Sequence, residues 1–306
     1  MTAEPTPLGA TLYVPAEGFA PQLLTELGPD ASMLGDLVTA PGPARPAAWA
    51  QNIWLDPVRI PIASIGEGAK ALRAIQRNWH AHPIGHFRRA GLIADRLPPV
   101  SAKPLVFPSP APTAPLGAWT LVRPDLIFAA ASCASPVPDG AWRFVEDRAA
   151  PPNRAYLKLW EALTRIGRMP GPGSRCLDLG ASPGGWTWVL QGLGASVVAV
   201  DKALLDPRIA ALPGVEWRQA SAFALDPAEA GSFDWLCCDV ACYPTRLLRL
   251  VERWMASGRV ANFVCTLKFQ GETDHATAAA FAAIPGSRLM HLFHNKHELT
   301  WVLTAP

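Results

Sequence analysis

The chain has 306 residues, half of them hydrophobic and 17% charged, enough for two domains or one large one around a sizeable core. Its formal net charge is only +2, and cations and anions balance over the first 150 residues, so bulk charge argues for no nucleic-acid partner and any basic surface must be a local patch. No apolar run approaches the roughly 18 residues of a membrane span, and the start, with Glu4, Pro5 and Pro7, has no apolar core of a signal peptide, so neither is expected. The six cysteines (Cys133, Cys176, Cys237, Cys238, Cys242, Cys265) form no C-x-x-C pair and read as small apolar residues in a reducing cytoplasm.

The first part reads as mixed α/β. Strands are expected at residues 12–14 and 52–55, a helix at 66–79, and strands at 119–122 and 126–131. A proline-dense stretch over 98–115 and a polar, proline-marked break over 136–153 resist regular structure. The second break divides the chain into residues 1–150 and 151–306.

Beyond it the pattern is regular. A helix is predicted over 156–166, then a strand at 175–179, a helix at 186–193, and strands at 197–200, 215–218 and 235–239. A helix at 245–255 sets Leu247, Leu248, Val251, Trp254 and Met255 on one face. A strand at 263–267 and a helix at 273–283 follow. The last strands, 288–293 and 299–303, have a short connection and form an antiparallel hairpin. Strands alternating with helices predict an α/β fold, a parallel sheet with helices on both faces.

The stretch CLDLGASPGGWTWVL runs from an apolar strand into a glycine-rich turn and a helix start. Asp178, Gly180, Ala181, Ser182, Pro183, Gly184, Gly185 and Trp186 are the candidate ligand-binding residues there, at the carboxyl end of a parallel strand where open α/β sheets bind nucleotides. The spacing is not G-x-G-x-x-G, and there is no phosphate-loop lysine. The next strand, VVAVD, ends in Asp201, an acid able to take both hydroxyls of a ribose. With no pyrophosphate grip, an adenosine without phosphates fits best, and S-adenosylmethionine is the expected cofactor. No clustered ligand set for a metal is evident. Seven strands ending in a hairpin are the layout of a Rossmann-like methyltransferase sheet.

Three polar residues sit at strand ends around the same crevice: Asp239 closing WLCCD, Lys268 closing FVCTLK and Glu298 opening ELTWVL. Lys158 lies among apolar residues in NRAYLKLWEAL. Each has a plainer reading as a solvated terminus, a loop cap, a turn residue or an exposed helix face; their joint order on one predicted sheet is what points to a site. At this point the chain resembles the FtsJ-type ribose 2′-O-methyltransferases, marked by a K-D-K-E tetrad. The matching segments are NRAYLKLWEA, LDLGASPGGWTWVL, VVAVD, WLCCDVACYP, FVCTLKF and HLFHNKHELTWVL, over about residues 150–306. The tetrad falls on Lys158, Asp239, Lys268 and Glu298. Within the family the segments are most similar to members that methylate a cytidine ribose in large-subunit (23S-type) ribosomal RNA. The resemblance implies S-adenosylmethionine as cofactor and Lys268 as a neutral base, with Lys158 as the charge that favours its neutral form. It implies Asp239 as the group aligning the amine, and Glu298 as orienting either Lys158 or the substrate ribose. Where the family has an acid near the adenine amino group, this chain has Ser221, a weaker hydrogen-bond partner.

Before residue 150 only TLYVPAEGFAPQLL and the stretch preceding NRAYLK are similar to the family's THUMP-type region, so a reduced RNA-recruiting domain is expected. Its candidate surface is a basic stripe of Lys70, Arg73 and Arg77 at helical spacing. His80, His82, His86, Arg88, Arg89 and Arg96 extend it, with Trp79 and Phe87 interleaved. A methyltransferase for another RNA, and a module that binds cofactor or RNA without catalysis, remain open as alternatives.

Overall fold

In the computed structural model, which describes residues 4–305, the chain separates into two compact units. One comprises Met1–Pro104 with Ala111–Arg143, the other Leu105–Pro110 with Phe144–Pro306.

The first unit holds strands β1 (Thr6–Pro7), β2 (Ala10–Pro15), β3 (Ser32–Leu34), β4 (Leu37–Pro41), β5 (Ala50–Leu55), β6 (Val58–Pro61), β7 (Trp79–Ala81), β8 (Gly117–Arg123), β9 (Leu126–Ala130) and β10 (Ser132–Cys133). Its helices are α1 (Ala20–Leu27), α2 (Ile65–Ile75) and α3 (Phe87–Ala94). The strands form two five-stranded sheets, ordered β1-β6-β9-β8-β7 and β10-β5-β2-β4-β3. Leu72 of α2 and Ile93 of α3 pack with Ile60, Trp119, Leu121 and Ile127 of the first sheet. The helix expected to reach residue 79 stops at Ile75. Gln76 turns extended, at φ −161° and ψ 178°, and Trp79 starts β7 with its indole donating back to Leu72 O at 2.9 Å. Burying that indole over the helix end outweighs the helical spacing of the basic residues.

The second unit carries α4 (Tyr156–Ile166), β11 (Arg175–Leu179), α5 (Gly185–Gly192), β12 (Ser196–Asp201), α6 (Pro207–Ala210), β13 (Val215–Gln219), α7 (Pro227–Ala230), β14 (Phe233–Cys238), α8 (Pro244–Ala256), β15 (Val260–Lys268), α9 (His275–Ala282), β16 (Ser287–Met290) and β17 (Glu298–Leu303). Its seven strands run β13-β12-β11-β14-β15-β17-β16. The first five are parallel, and β17 is antiparallel to both β15 and β16, the anticipated hairpin. β16 ends at Met290, short of the expected 293, because the chain beyond it is held by a buried carboxylate on α4. The chain leaves β11 towards β12 on one side, while β14 and β15 lie on the other. The carboxyl ends of β11 and β14 therefore flank the switch point where such sheets bind ligands. No described helix is long and apolar enough to cross a membrane.

Candidate active site

β11 is buried along Cys176–Leu179 and delivers its turn at the switch point. Two glycines there have physical reasons. Gly180 has φ +78°, and a Cβ would come within 2.7 Å of the Val240 backbone; Gly184 has φ +122°, and a Cβ would meet Ile209 at 2.8 Å. Asp178 is fully buried; its Oδ2 accepts from Thr187 Oγ1 at 2.6 Å and its Oδ1 has no partner among the described residues. Burial, reinforced by the charges of Asp239 and Asp201 and opposed by Thr187, pushes its pKa up to about 7. Asp201 ties the turn to the next strand. Its Oδ2 accepts from Ser182 N at 3.0 Å and its Oδ1 from Ala203 N at 2.9 Å. Ser182 Oγ donates to Leu204 O at 2.8 Å.

A cavity of about 490 Å³ opens over this edge, lined by Gly180, Ser182, Asp201, Ser221, Asp239 and Lys268, with Asn153, Phe223 and Arg246 among its other walls. That volume is in the range of small-molecule sites. Its walls come from the strand ends β13 through β15, so it is elongated across the sheet. Asp201 and Ser221 stand on one side of the switch point, Asp239 and Lys268 on the other. The remaining turn residues do not line it. Asp178, Ala181, Gly184 and Gly185 are buried behind it, and Pro183 is half-buried. Trp186, expected to flank a cofactor, is 3% exposed and donates to Ala155 O at 2.9 Å, bracing α4 instead. Sequence reasoning missed Asn153, which sat in a stretch read as a linker. Its Oδ1 accepts from Ala155 N at 3.1 Å and lies 2.2 Å from where a Gly185 Cβ would be, so Gly185 is needed to admit it. It also missed Arg246, whose guanidinium lies 3.8 Å over the Phe223 ring.

The four polar strand-end and helix residues converge. α4 is buried on all sides from Tyr156 to Thr164, so any charge on it needs partners. Lys158 Nζ donates to Asp239 Oδ1 at 2.8 Å and Oδ2 at 2.9 Å and pairs with Glu298 Oε1 at 3.2 Å. Lys268 Nζ lies 3.1 Å from Asp239 Oδ1 and donates to the Asp239 carbonyl. Lys268 and Glu298 face each other in the β15–β17 register. Burial works against the Lys158 ammonium, but the Asp239 and Glu298 carboxylates outweigh it and raise its pKa above the ordinary lysine value. Lys158 is therefore not the bare repelling charge the sequence suggested. Two carboxylates compensate it, and Asp239 touches the amino groups of both lysines. Of the two roles foreseen for Glu298, the contact present is the one to Lys158.

In the first unit Lys70 and Arg73 are exposed on α2, Arg77 is exposed just beyond its end, and Arg88 and Arg96 are exposed on or after α3; Arg89 is half-buried. Phe87 is 66% exposed, whereas Trp79 is 4% exposed and belongs to the core. The histidines do not all extend the stripe. His80 Nε2 meets Asp139 Oδ2 at 2.8 Å, and His82 meets Asp139 Oδ1 at 2.9 Å and Asp36 Oδ1 at 3.1 Å. Burial opposes the charged form of His82, but Asp139 and Asp36 raise its pKa on balance. His86 is exposed. No group of three or more His, Cys, Asp or Glu that could hold a metal occurs among the described residues.

The FtsJ-like methyltransferase family matches residues 151–282. The chain is 37% identical over 171 residues to "Ribosomal RNA large subunit methyltransferase M" of Halorhodospira halophila, covering 53% of this chain and 50% of that protein. To the protein of the same name from Alkalilimnicola ehrlichii it is 31% identical over 293 residues, 91% of this chain and 75% of that protein. To the one from Aromatoleum aromaticum it is 33% identical over 167 residues, 49% of this chain and 45% of that protein. The chain thus matches about half the length of two of these relatives and three quarters of the third.

Proposed function

The chain belongs to the ribosomal RNA large subunit methyltransferase M family, and on that premise we propose that it methylates the 2′-hydroxyl of a ribose, a cytidine's, in large-subunit ribosomal RNA, with S-adenosylmethionine as donor. The observation that carries this reading is the junction of Lys158, Asp239, Lys268 and Glu298 at one side of the elongated cavity, with Asp201 and Ser221 on the other.

The cavity fits the donor by its chemistry. Asp201 keeps free lone pairs on both oxygens for the two hydroxyls of an adenosine ribose, because each accepts one backbone N–H. Ser221 offers a hydroxyl to the adenine edge. Asn153, Gly180 and Ser182 line the stretch between Asp201 and the lysines. When bound, the donor supplies an electrophilic methyl on a sulfonium. A ribose hydroxyl is a weak nucleophile, so the chain's contribution is a base and alignment. Lys268 in its neutral form would take the 2′-hydroxyl proton onto Nζ as the hydroxyl oxygen accepts the methyl group that the bound donor would supply. Asp239 aims that amine through its side chain and its carbonyl. Lys158 stays an ammonium, fixing Asp239 from one side and Glu298 from the other. In the first unit, the exposed Lys70, Arg73, Arg77 and Arg88 with Phe87 support a backbone-gripping, base-stacking role in recruiting RNA.

The test is transfer of an isotope-labelled methyl from S-adenosylmethionine to large-subunit ribosomal RNA from cells lacking the gene, followed by alkaline hydrolysis and mapping. Label in one alkali-resistant dinucleotide containing 2′-O-methylcytidine is expected. Label on a base, or none on RNA, overturns the reading.

A further inference from the structure

Lys158 is not the only charged residue on the buried helix α4. Glu161, one turn later on the same face, is fully buried and accepts four hydrogen bonds. Its Oε1 takes Phe293 N at 2.9 Å and Arg165 Nη1 at 3.1 Å. Its Oε2 takes His294 N at 3.2 Å and His294 Nδ1 at 2.9 Å. Arg165 Nη1 also donates to His291 O at 3.2 Å. Every one of these partners lies on α4 itself or in the segment that joins β16 to β17.

That segment leads directly into Glu298, the first residue of β17. Within it, His291 Nε2 meets Lys296 O at 2.9 Å and Asn295 N donates to Leu292 O at 3.0 Å. Asn295 Nδ2 donates to Glu298 O at 3.2 Å and to Thr300 Oγ1 at 3.1 Å. Glu298 then returns to α4 through its 3.2 Å contact with Lys158. The contacts close a ring: Lys158, Glu298, the 291–297 segment, Glu161, and back along one helical turn. A carboxylate sunk this deep is expensive unless fully partnered, and three of its four hydrogen bonds here come from one particular segment, through Phe293 N, His294 N and His294 Nδ1.

We propose that Glu161 is a positioning residue of the methyl-transfer site, clamping the segment that carries Glu298 so that Glu298 stays against Lys158. The clamp fixes the start of β17, hence the side of the Lys158 ammonium that Asp239 does not hold. Glu161 touches neither Asp239 nor Lys268 and lines no part of the cavity, so its effect passes through Glu298. It rests on the proposed reaction only where rates are read; the contact itself is testable without RNA.

The experiment is competitive acetylation of the full chain at a fixed alkaline pH, read peptide by peptide, with the exposed Lys103 and Lys202 as internal references. Glu161→Gln keeps an accepting oxygen but loses the charge and half the accepting capacity. It should raise Lys158 labelling several-fold relative to the references, to the level of Glu298→Gln, and the double variant should rise no further. Calorimetric binding of S-adenosylmethionine should be unchanged in all three. Lys158 labelling at the wild-type level in Glu161→Gln, or additive effects in the double variant, overturns the proposal. Should Glu161→Gln label every lysine faster, as a chain that fails to fold does, His294→Ala takes its place under the same criterion. Single-turnover methyl transfer should follow the same non-additive pattern. If the wild-type chain methylates no RNA while the labelling pattern holds, the reaction reading falls and the clamp stands.

Discussion

Asp178 is the residue whose substitution makes the most quantitative test of the site's electrostatics. It is fully buried behind the cavity, one oxygen is bonded to Thr187, the other is unpartnered, and its pKa is pushed up from 3.8 to about 7, chiefly by burial. A carboxyl whose folded value lies above its unfolded value contributes no penalty below the unfolded value, where both states are protonated. It costs the fold stability progressively as pH rises from the unfolded value to the folded one, because the unfolded chain ionises freely there and the folded chain does not. At about 1.4 kcal/mol per tenfold change, the gap between 3.8 and about 7 corresponds to about 4 kcal/mol. Asp178→Asn removes this pH-dependent loss. The Asn substitution also changes hydrogen bonding, but that contribution is the same at every pH. The stability of Asp178→Asn minus that of the wild type should therefore climb by up to about 1.4 kcal/mol per pH unit between roughly pH 4 and 7, then level off. Urea unfolding of both chains across that range, followed by tryptophan fluorescence, measures it. A difference that stays flat across the window would refute the claim that the buried carboxyl resists ionisation.

The other predictions concern the two ends of the cavity and the first unit. Lys268→Arg should lower single-turnover methyl transfer by at least roughly a hundredfold with cofactor still bound, because a guanidinium stays protonated and cannot accept the hydroxyl proton; an active Lys268→Arg leaves positioning as the whole of the catalysis. Ser221→Asp should tighten S-adenosylmethionine binding by roughly 0.5–1.5 kcal/mol in calorimetry, the worth of one added hydrogen bond, and equal or weaker binding means that another group meets the adenine. Charge reversal at Lys70 and Arg73 should weaken RNA binding and reduce its dependence on salt, by roughly one in the logarithmic slope per lost phosphate contact, without touching cofactor affinity; an unchanged slope would make that surface an ordinary solvated helix face.

What the sequence displayed and what it concealed divide along a physical line. The second unit's strands and longer helices were legible because continuous apolar runs such as LCC and FVCTL alternate with amphipathic stretches, and period separates strand from helix there, whereas the four-residue helices α6 and α7 are too short to show a period. The site residues at strand ends were legible because a charge directly after an apolar run has few places to go but the sheet edge. The first unit hid its short strands β1, β3, β7 and β10, at two or three residues each, because such lengths carry no period. Trp79 stands among arginines in the sequence like a surface aromatic, and only the turn at Gln76 and its bond to Leu72 make it core. His80 and His82 looked like part of a basic surface because Asp139 lies far along the chain and pairing across such a separation leaves no local trace.

The same limit explains why Lys158 was foreseen and its electrostatic role was not. A lysine inside NRAYLKLWEAL is visible as an oddity, but its charge state depends on which acids fold against it. The family resemblance implies Asp239 as an aligner of Lys268. The structure puts that carboxylate in contact with both lysines and adds Glu298 on the far side of Lys158. With Asp239 shared, the two lysines are not symmetrical. Lys158 is 7% exposed and held by two acids, while Lys268 is partly open, has one acid, and lines the cavity. A proton acceptor needs access to the substrate and a way to shed its own proton, and a fixed cation needs neither. In the proposed reaction, the division of labour between two chemically identical side chains thus comes from the number of carboxylates around each, and from which of them the cavity reaches.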